Sequence, residues 1–221
     1  MFGFPMRVTM EDGRMIIMRP LKEEEMADVA THISSYEVCR YLEMRGAQNA
    51  EQELEWLKAR YTETDSFGWG ICLAEHNKDT VGRPVGMSGV NGIKNNRGES
   101  GVVLWDRSVW GTGIASAIHR ARCLYAVECH HLVAIDSGFF LPNVGSGKAL
   151  HKVGYAKVGI TYNHRIVGGQ PCHAQELLWV NPTEHCWNYF WGDNPIPRKF
   201  HKARERAFAT LEQARTEVTF L

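Results

Sequence analysis

The sequence predicts an α/β protein with a mixed, mostly antiparallel central sheet flanked by helices and a helical extension at the C-terminus. Three observations carry that expectation. Val102 to Ala115 reads as a strand, a turn at Gly111 and Gly113, and the opening of a helix. The hydrophobic period alternates in the order strand, two helices, three strands, helix, strand, helix, two strands. Beyond Pro182 an aromatic cluster and a proline breaker precede a separate amphipathic helix. A chain of 221 residues supplies one substantial core plus an extension. The expected divisions are a leader at 1–13, a main domain at 14–182 and an extension at 183–221.

Taken in order, the leader ends in the turn-like Glu11-Asp12-Gly13, and no element is assigned to it. Arg14–Pro20 is the first strand. Lys22–Ser34 is a helix with a buried stripe of Met26, Val29, Ala30 and Ile33, and Glu23-Glu24-Glu25 suits the positive end of its first turn. Asn49 and Gln52 form a capping box that starts a second helix, which reaches Tyr61 and buries Leu54, Leu57 and Tyr61. Trp69–Glu75 and Val85–Ile93 are strands joined by a turn at His76, Asn77, Lys78 and Asp79. Lys94–Gly98 is a hairpin turn into the strand that ends at Asp106. In the central helix Ile114, Ala117, Ile118, Ala121, Leu124 and Tyr125 share the sheet-facing side, with Ser116, His119, Arg120 and Arg122 on the other. Leu132–Asp136 is a buried strand. Asn143 caps the next helix and Gly154 ends it, and Tyr155–Val167 and Cys172–Val180 close a hairpin at Gly168-Gly169. In the extension, Phe200, Ala203, Ala207, Leu211, Ala214 and Val218 make a stripe on a helix from Arg198 to Val218. That stripe packs on its own domain, forms a homodimer contact, or serves as a lid over a substrate site.

Composition narrows the function classes. Lys plus Arg and Asp plus Glu both total 25, so no basic field holds nucleic acid, and nucleic acid is not an expected partner. No apolar run is long enough to span a bilayer, and no signal peptide opens the chain, so no membrane partner is expected. Six cysteines without paired spacing read as reduced thiols, which points to the cytoplasm. Cys129-His130-His131, Cys172-His173 and His185-Cys186 lack the C-x-x-C or H-x-x-x-H spacing of a zinc site, so no metal is expected. Pro182 removes Asn181-Pro182-Thr183 from the glycosylation acceptors.

Gly111 and Gly113 let the backbone turn sharply and present successive N–H groups to an anion at a helix start. The dinucleotide pattern G-x-G-x-x-G is matched only twice, because Ser116 holds the third place, although Asp136 lies near where a ribose-binding acid would fall. The P-loop pattern fails: Ala149 follows Gly147-Lys148, and Pro142 takes the earlier glycine position. Trp110-Gly-Thr-Gly-Ile-Ala115 instead resembles the coenzyme A pyrophosphate loop of the GNAT acetyltransferase superfamily. With Trp110 in the leading place it is similar to the branch of ribosomal-protein alanine N-acetyltransferases. A second segment, Asn143 to Tyr155, is similar to the N-x-x-S-x-x-x-L-x-K-x-G-F/Y stretch of that branch. The resemblance covers about residues 14–181.

That resemblance implies a GNAT fold and an enzyme that moves an acetyl group from acetyl-CoA to a primary amine, on a protein N-terminus or a small molecule, by direct attack in a ternary complex. It implies pyrophosphate binding along Trp110, Gly111, Thr112, Gly113, Ile114 and Ala115, thioester-carbonyl donors in the backbone of Val103, Leu104 and Trp105, and a pantetheine contact at Asn143. It places much of the acceptor wall in Ser35–Gln48, which holds Tyr36, Arg40, Tyr41 and Arg45. The tyrosine acid of many relatives falls at Leu150, so Ser146 is the branch's substitute, unless it only makes a local helix-start bond. The branch's glutamate base falls at Arg165, which cannot accept a proton at neutral pH. His164, or Glu99, His173 or Glu176 acting through water, are the remaining bases. These two departures motivate an alternative, a noncatalytic GNAT domain that binds coenzyme A as a sensor or interaction module.

Overall fold

The computed structural model describes residues 1–42, 46–74 and 81–221. It divides into two units. One comprises Met1–Asn91, Gly101–Ile114 and Glu217–Leu221, the other Gly92–Ser100 and Ala115–Thr216.

In the first unit the strands are antiparallel neighbours. β1 (Met6–Thr9) pairs with β2 (Met15–Arg19), placing Met6 opposite Met18, and β2 pairs with β3 (Phe67–Ala74). β3 pairs with β4 (Val81–Lys94), and its ladder shifts register on both sides of Cys72. The leader therefore contains a strand where the sequence pattern assigns no element. β1 also pairs with β9 (Val218–Phe220), so Val218 belongs to a strand rather than to the last helix. Glu23–Glu25 forms a single 3-10 turn ahead of α1 (Met26–Ile33), whose Met26, Val29, Ala30 and Ile33 are buried as the period requires. A short α2 (Tyr36–Cys39) follows, and α3 (Ala50–Thr62) starts at the Asn49–Gln52 capping box. Leu21, Met26, Val29, Ile33 and Leu57 form one core with Val103 of the strand before the glycine turn and with Trp105 just beyond its end. Tyr61 is exposed, against expectation. Leu57 already fills the core side of α3, and Tyr61 reaches out to stack edge-on with Phe2 at 5.4 Å between ring centroids. Arg45 and the turn His76–Asp79, like Glu75, lie outside the described residues.

In the second unit the mixed character of the sheet resides. The hairpin turn Asn95-Asn96 has both residues at positive φ, so Arg97 and Gly98 already belong to β5 (Arg97–Leu104). Arg97–Glu99 pairs in parallel with Ala134–Asp136 of β6 (Ala134–Phe140), a pairing reached through the crossover helix α4 (Ile114–Glu128). β6 then pairs antiparallel with β8 (Gln170–Val180), and β8 with β7 (Ala156–Val167). α5 (Val144–Lys152) is capped by Asn143. Gly154 follows it at φ +102, and a Cβ there would fall 2.7 Å from the backbone nitrogen of Ala207. Only glycine fits that crossing.

The polar side of α4 is a correction. Ser116, His119, Arg120 and Arg122 are buried like the apolar side, so the helix is covered all round. Arg122 Nη2 lies 2.7 Å from His119 Nδ1 and donates at 3.3 Å to the hydroxyl of Tyr155, which lies 3.1 Å from Ser100 Oγ. Burial holds His119 well below the ordinary histidine range, with the Arg122 charge adding to the effect, and pushes Tyr155 up to about 12. The aromatic cluster of the extension is itself a helix, α6 (Glu184–Trp191), and α7 runs Arg198–Glu217. Trp187, Phe200 and Ala203 pack with Ala134, Ala156, Leu178 and Val180. Ala207, Leu211 and Ala214 are buried as well, so this stripe belongs to the protein's own core and is not a lid or homodimer face.

Candidate functional site

The glycine turn is built by a succession of local bonds. Asp106 Oδ1 accepts from the N–H of Ser108 at 2.9 Å and from its hydroxyl at 2.7 Å, which shapes the 3-10 turn Arg107–Val109. These bonds hold the Asp106 carboxyl below the usual range. Thr112 Oγ1 donates to the Val109 carbonyl at 2.6 Å, and Arg14 Nη2 donates to the Thr112 carbonyl at 2.7 Å. Trp110 donates its indole N–H to the Leu104 carbonyl at 2.8 Å, which fastens the turn back onto its strand. Gly111 and Gly113 take φ of +73 and +88. The carbonyls of Val109 and Thr112 are thus occupied, while no bond among the described residues engages the N–H groups of Gly111, Thr112 and Gly113. Ile114 opens α4 directly after them. Three donors without partners at the positive end of a fifteen-residue helix form an anion cradle.

Of the three carbonyl-donor candidates, Trp105 is already engaged: its N–H donates to the Val85 carbonyl at 3.0 Å. Val103 and Leu104 remain candidates.

The other site residues belong to the second unit. Asn143 Oδ1 accepts from the Ser146 N–H at 3.3 Å, so both open α5 by a local cap, and the Asn143 N–H donates to the Phe140 carbonyl at 2.7 Å. The Phe140 ring meets His164 edge-on at 5.6 Å. This chain of contacts brings Ser146, Asn143 and His164 to one end of β6. His164 stands in a bulge: between the pairs Thr161–Ala174 and Arg165–Cys172, β7 has Tyr162, Asn163 and His164 where β8 has only His173. His173 Nδ1 accepts the Asn163 N–H at 2.9 Å, so the lone pair of that nitrogen is engaged in holding the bulge. The Glu176 carboxylate accepts from the Thr161 hydroxyl. Glu99 is not brought to this group. It pairs with Asp136, four residues before Phe140, or ~13 Å along the strand.

A feature that sequence reasoning missed is a cavity of about 360 Å3 lying wholly in the first unit. Its lining includes Phe2, Trp56, Arg60, Phe67, Trp69 and Met87, closed on one side by Gly101, Val102 and Val103 of β5. Of the expected acceptor loop Leu42 lines it, whereas Tyr36, Arg40 and Tyr41 do not. The spacing of Trp56 and Arg60 on one face of α3 was the available signal, and Arg60 indeed lies over the Trp56 ring at 5.3 Å. Phe2 comes from the leader, whose place no local pattern announces. Among the described residues no group of His, Cys, Asp or Glu could hold a metal ion, and no helix is long and apolar enough to cross a membrane.

Backbone donors massed at a glycine turn, on a mixed and mostly antiparallel sheet with an open cavity against the same strand, suit an acyltransferase frame. The family described as "Acetyltransferase (GNAT) domain" matches residues 15–156. The chain belongs to that family and is an N-acetyltransferase by class. Among curated proteins it is 25% identical over 174 residues to the uncharacterized N-acetyltransferase YoaA of Bacillus subtilis (strain 168), covering 76% of this chain and 95% of that one. Among solved structures, Mycobacterium smegmatis RimJ in complex with CoA-disulfide is 16% identical, with a TM-score of 0.68 over 98% of this chain and 95% of that one. The spermidine N-acetyltransferase of Vibrio cholerae in complex with CoA and spermine is 11% identical, with a TM-score of 0.66 over 75% of this chain and 95% of that one. These two likenesses concern the fold.

Proposed function

We propose that this protein transfers an acetyl group from acetyl-CoA to a primary amine by direct attack in a ternary complex. The observation that carries the reading is the set of unengaged N–H groups at Gly111, Thr112 and Gly113, which suits a pyrophosphate without any basic side chain. Trp110, Ile114 and Ala115 complete the loop, and Asn143 contacts the pantetheine arm. Acetyl-CoA supplies an activated acyl group whose carbonyl oxygen gains charge as the amine adds. The N–H groups of Val103 and Leu104 are the candidates to meet that charge. Ser146 returns a proton to the departing sulfur, and His164, beside Phe140, is retained as the base candidate ahead of Glu99 and His173. Positioning supplies most of the rate, since a bound thioester and a bound amine need little covalent help.

In this reading residues 14–182 carry the transferase, 1–13 add a strand beside β2, and 183–221 form an extension that packs on it. All six cysteines are free thiols, the state a reducing cytoplasm maintains. The test is acetyl-CoA-dependent thiol release across a panel of amines, read beside the thermal shift that coenzyme A produces. Binding together with amine-dependent release supports transfer. Binding without release for any amine returns the protein to the noncatalytic alternative, and no binding removes the loop assignment.

A further inference from the structure

Resting on the acetyl-transfer reading, we propose that the cavity of the first unit is the acceptor site and that it takes an aromatic primary amine with no second cationic group, bound as the neutral amine.

The chemistry of the walls selects that class. Phe2, Trp56, Phe67 and Trp69 offer aromatic surface, and Met87 adds a polarisable, adaptable side. Among the described lining residues no carboxylate appears, and the charged side chain is Arg60. Its guanidinium donates to Glu63 at 2.6 Å and to Asn91 at 2.8 Å, and Glu63 is not part of the lining. A polyamine or aminoglycoside would bring two or more positive charges into an apolar chamber beside a guanidinium, with nothing to pair them. A flat aromatic amine fills the same space, at a volume of about 360 Å3, with ring contacts on several sides.

Position ties the cavity to the reaction. Gly101, Val102 and Val103 form one wall, and the same strand continues through Leu104 to the turn that holds Gly111 and Gly113. An amine resting on Val103 is therefore next to the N–H groups proposed to hold the thioester carbonyl.

The walls also lessen the demand on a base. An ammonium ion in this chamber loses its hydration, and the Arg60 guanidinium beside it, already paired with Glu63, offers it no counter-charge, so desolvation favours the neutral form. The neutral nitrogen adds its lone pair to the thioester carbon, the carbon–sulfur bond breaks, and the sulfur leaves with the electron pair. The proton shed by the new amide nitrogen ends on that sulfur, giving one amide and one free thiol. No strong base is required, which fits arginine at position 165.

The experiment measures thiol release from acetyl-CoA with tryptamine, 2-phenylethylamine and spermidine, on the full chain and on Met87→Trp, which fills the chamber. Coenzyme A thermal shifts on both proteins report folding and loop function separately. The expected result is a kcat/KM at least 100-fold higher for the aromatic amines than for spermidine, a loss of at least 10-fold in Met87→Trp, and an unchanged coenzyme A shift. The pH profile of kcat/KM is expected to rise toward the solution pKa of whichever amine is used, moving when the amine is changed. Equal or better turnover of spermidine overturns the proposal, as does full aromatic-amine activity in a folded Met87→Trp protein. So does coenzyme A binding with no aromatic amine turned over. Absence of any coenzyme A shift strikes instead at the parent reading.

Discussion

Replacing Gly113 separates backbone strain from ligand charge at the centre of the proposed loop. At φ +88 an L-residue is strained, yet among the described residues the only atom near a new Cβ is Met10 Cε at 3.6 Å, an ordinary contact. Gly113→Ala is therefore expected to cost about 1–2 kcal/mol of stability from the left-handed backbone alone. Gly113→Asp shares that strain and adds a carboxylate where the pyrophosphate is proposed to rest. At ~5 Å and an effective dielectric of ~20, each phosphate charge is opposed by about 3 kcal/mol. Coenzyme A affinity in Gly113→Asp should thus fall by roughly 100-fold or more relative to Gly113→Ala. Titration calorimetry of both variants, with denaturant midpoints to isolate the strain, measures the two effects independently. Equal coenzyme A affinity in the two folded variants would refute the idea that an anion sits on these amides.

Three further outcomes follow from particular contacts. His119 is held neutral in the fold, well below its ordinary range near 6.5, so the unfolded chain takes up its proton first as pH falls. Stability is accordingly full above about pH 6.5 and declines below it, by up to ~1.4 kcal/mol per pH unit for this group. The stability difference between wild type and His119→Gln should shrink from pH 7.5 to 5.5 in urea titrations, and a constant difference would rule out a buried neutral imidazole. Gly154→Ala meets both positive φ and the Ala207 backbone at 2.7 Å, so it should lose more than ~3 kcal/mol, well beyond Gly113→Ala. Comparable denaturant midpoints for those two alanine variants would mean that the α7 crossing yields easily. Ser146→Ala keeps the N–H bond to Asn143, so a proton-donating Ser146 predicts kcat down by ~100-fold with an unchanged melting temperature; an unchanged kcat would leave Ser146 as part of the helix start only.

What the sequence determines by itself is the local conformation and the order of the elements. Glycine at 111 and 113 takes the positive φ that the turn requires, Asn49 and Asn143 cap their helices, and the Phe200 to Ala214 stripe is apolar because it is buried. Each depends on neighbours a few residues away, which a linear pattern contains. The glycine turn proposed to bind coenzyme A was legible for the same reason, its residues being consecutive. Only the tertiary structure decided which surfaces meet. Arg122 and His119 are buried because Tyr155 and Ser100, far along the chain, supply hydroxyls to a side of α4 that looks polar in sequence. β1 exists because β2 and β9 flank it, and Phe2 joins Trp56 and Trp69 around one chamber because the leader lies along β3. The Trp105 N–H is removed from the donor set by a carbonyl twenty residues upstream. Burial and pairing of polar groups depend on partners brought together by folding, and the cost of leaving such groups unmatched is what holds those partners in place.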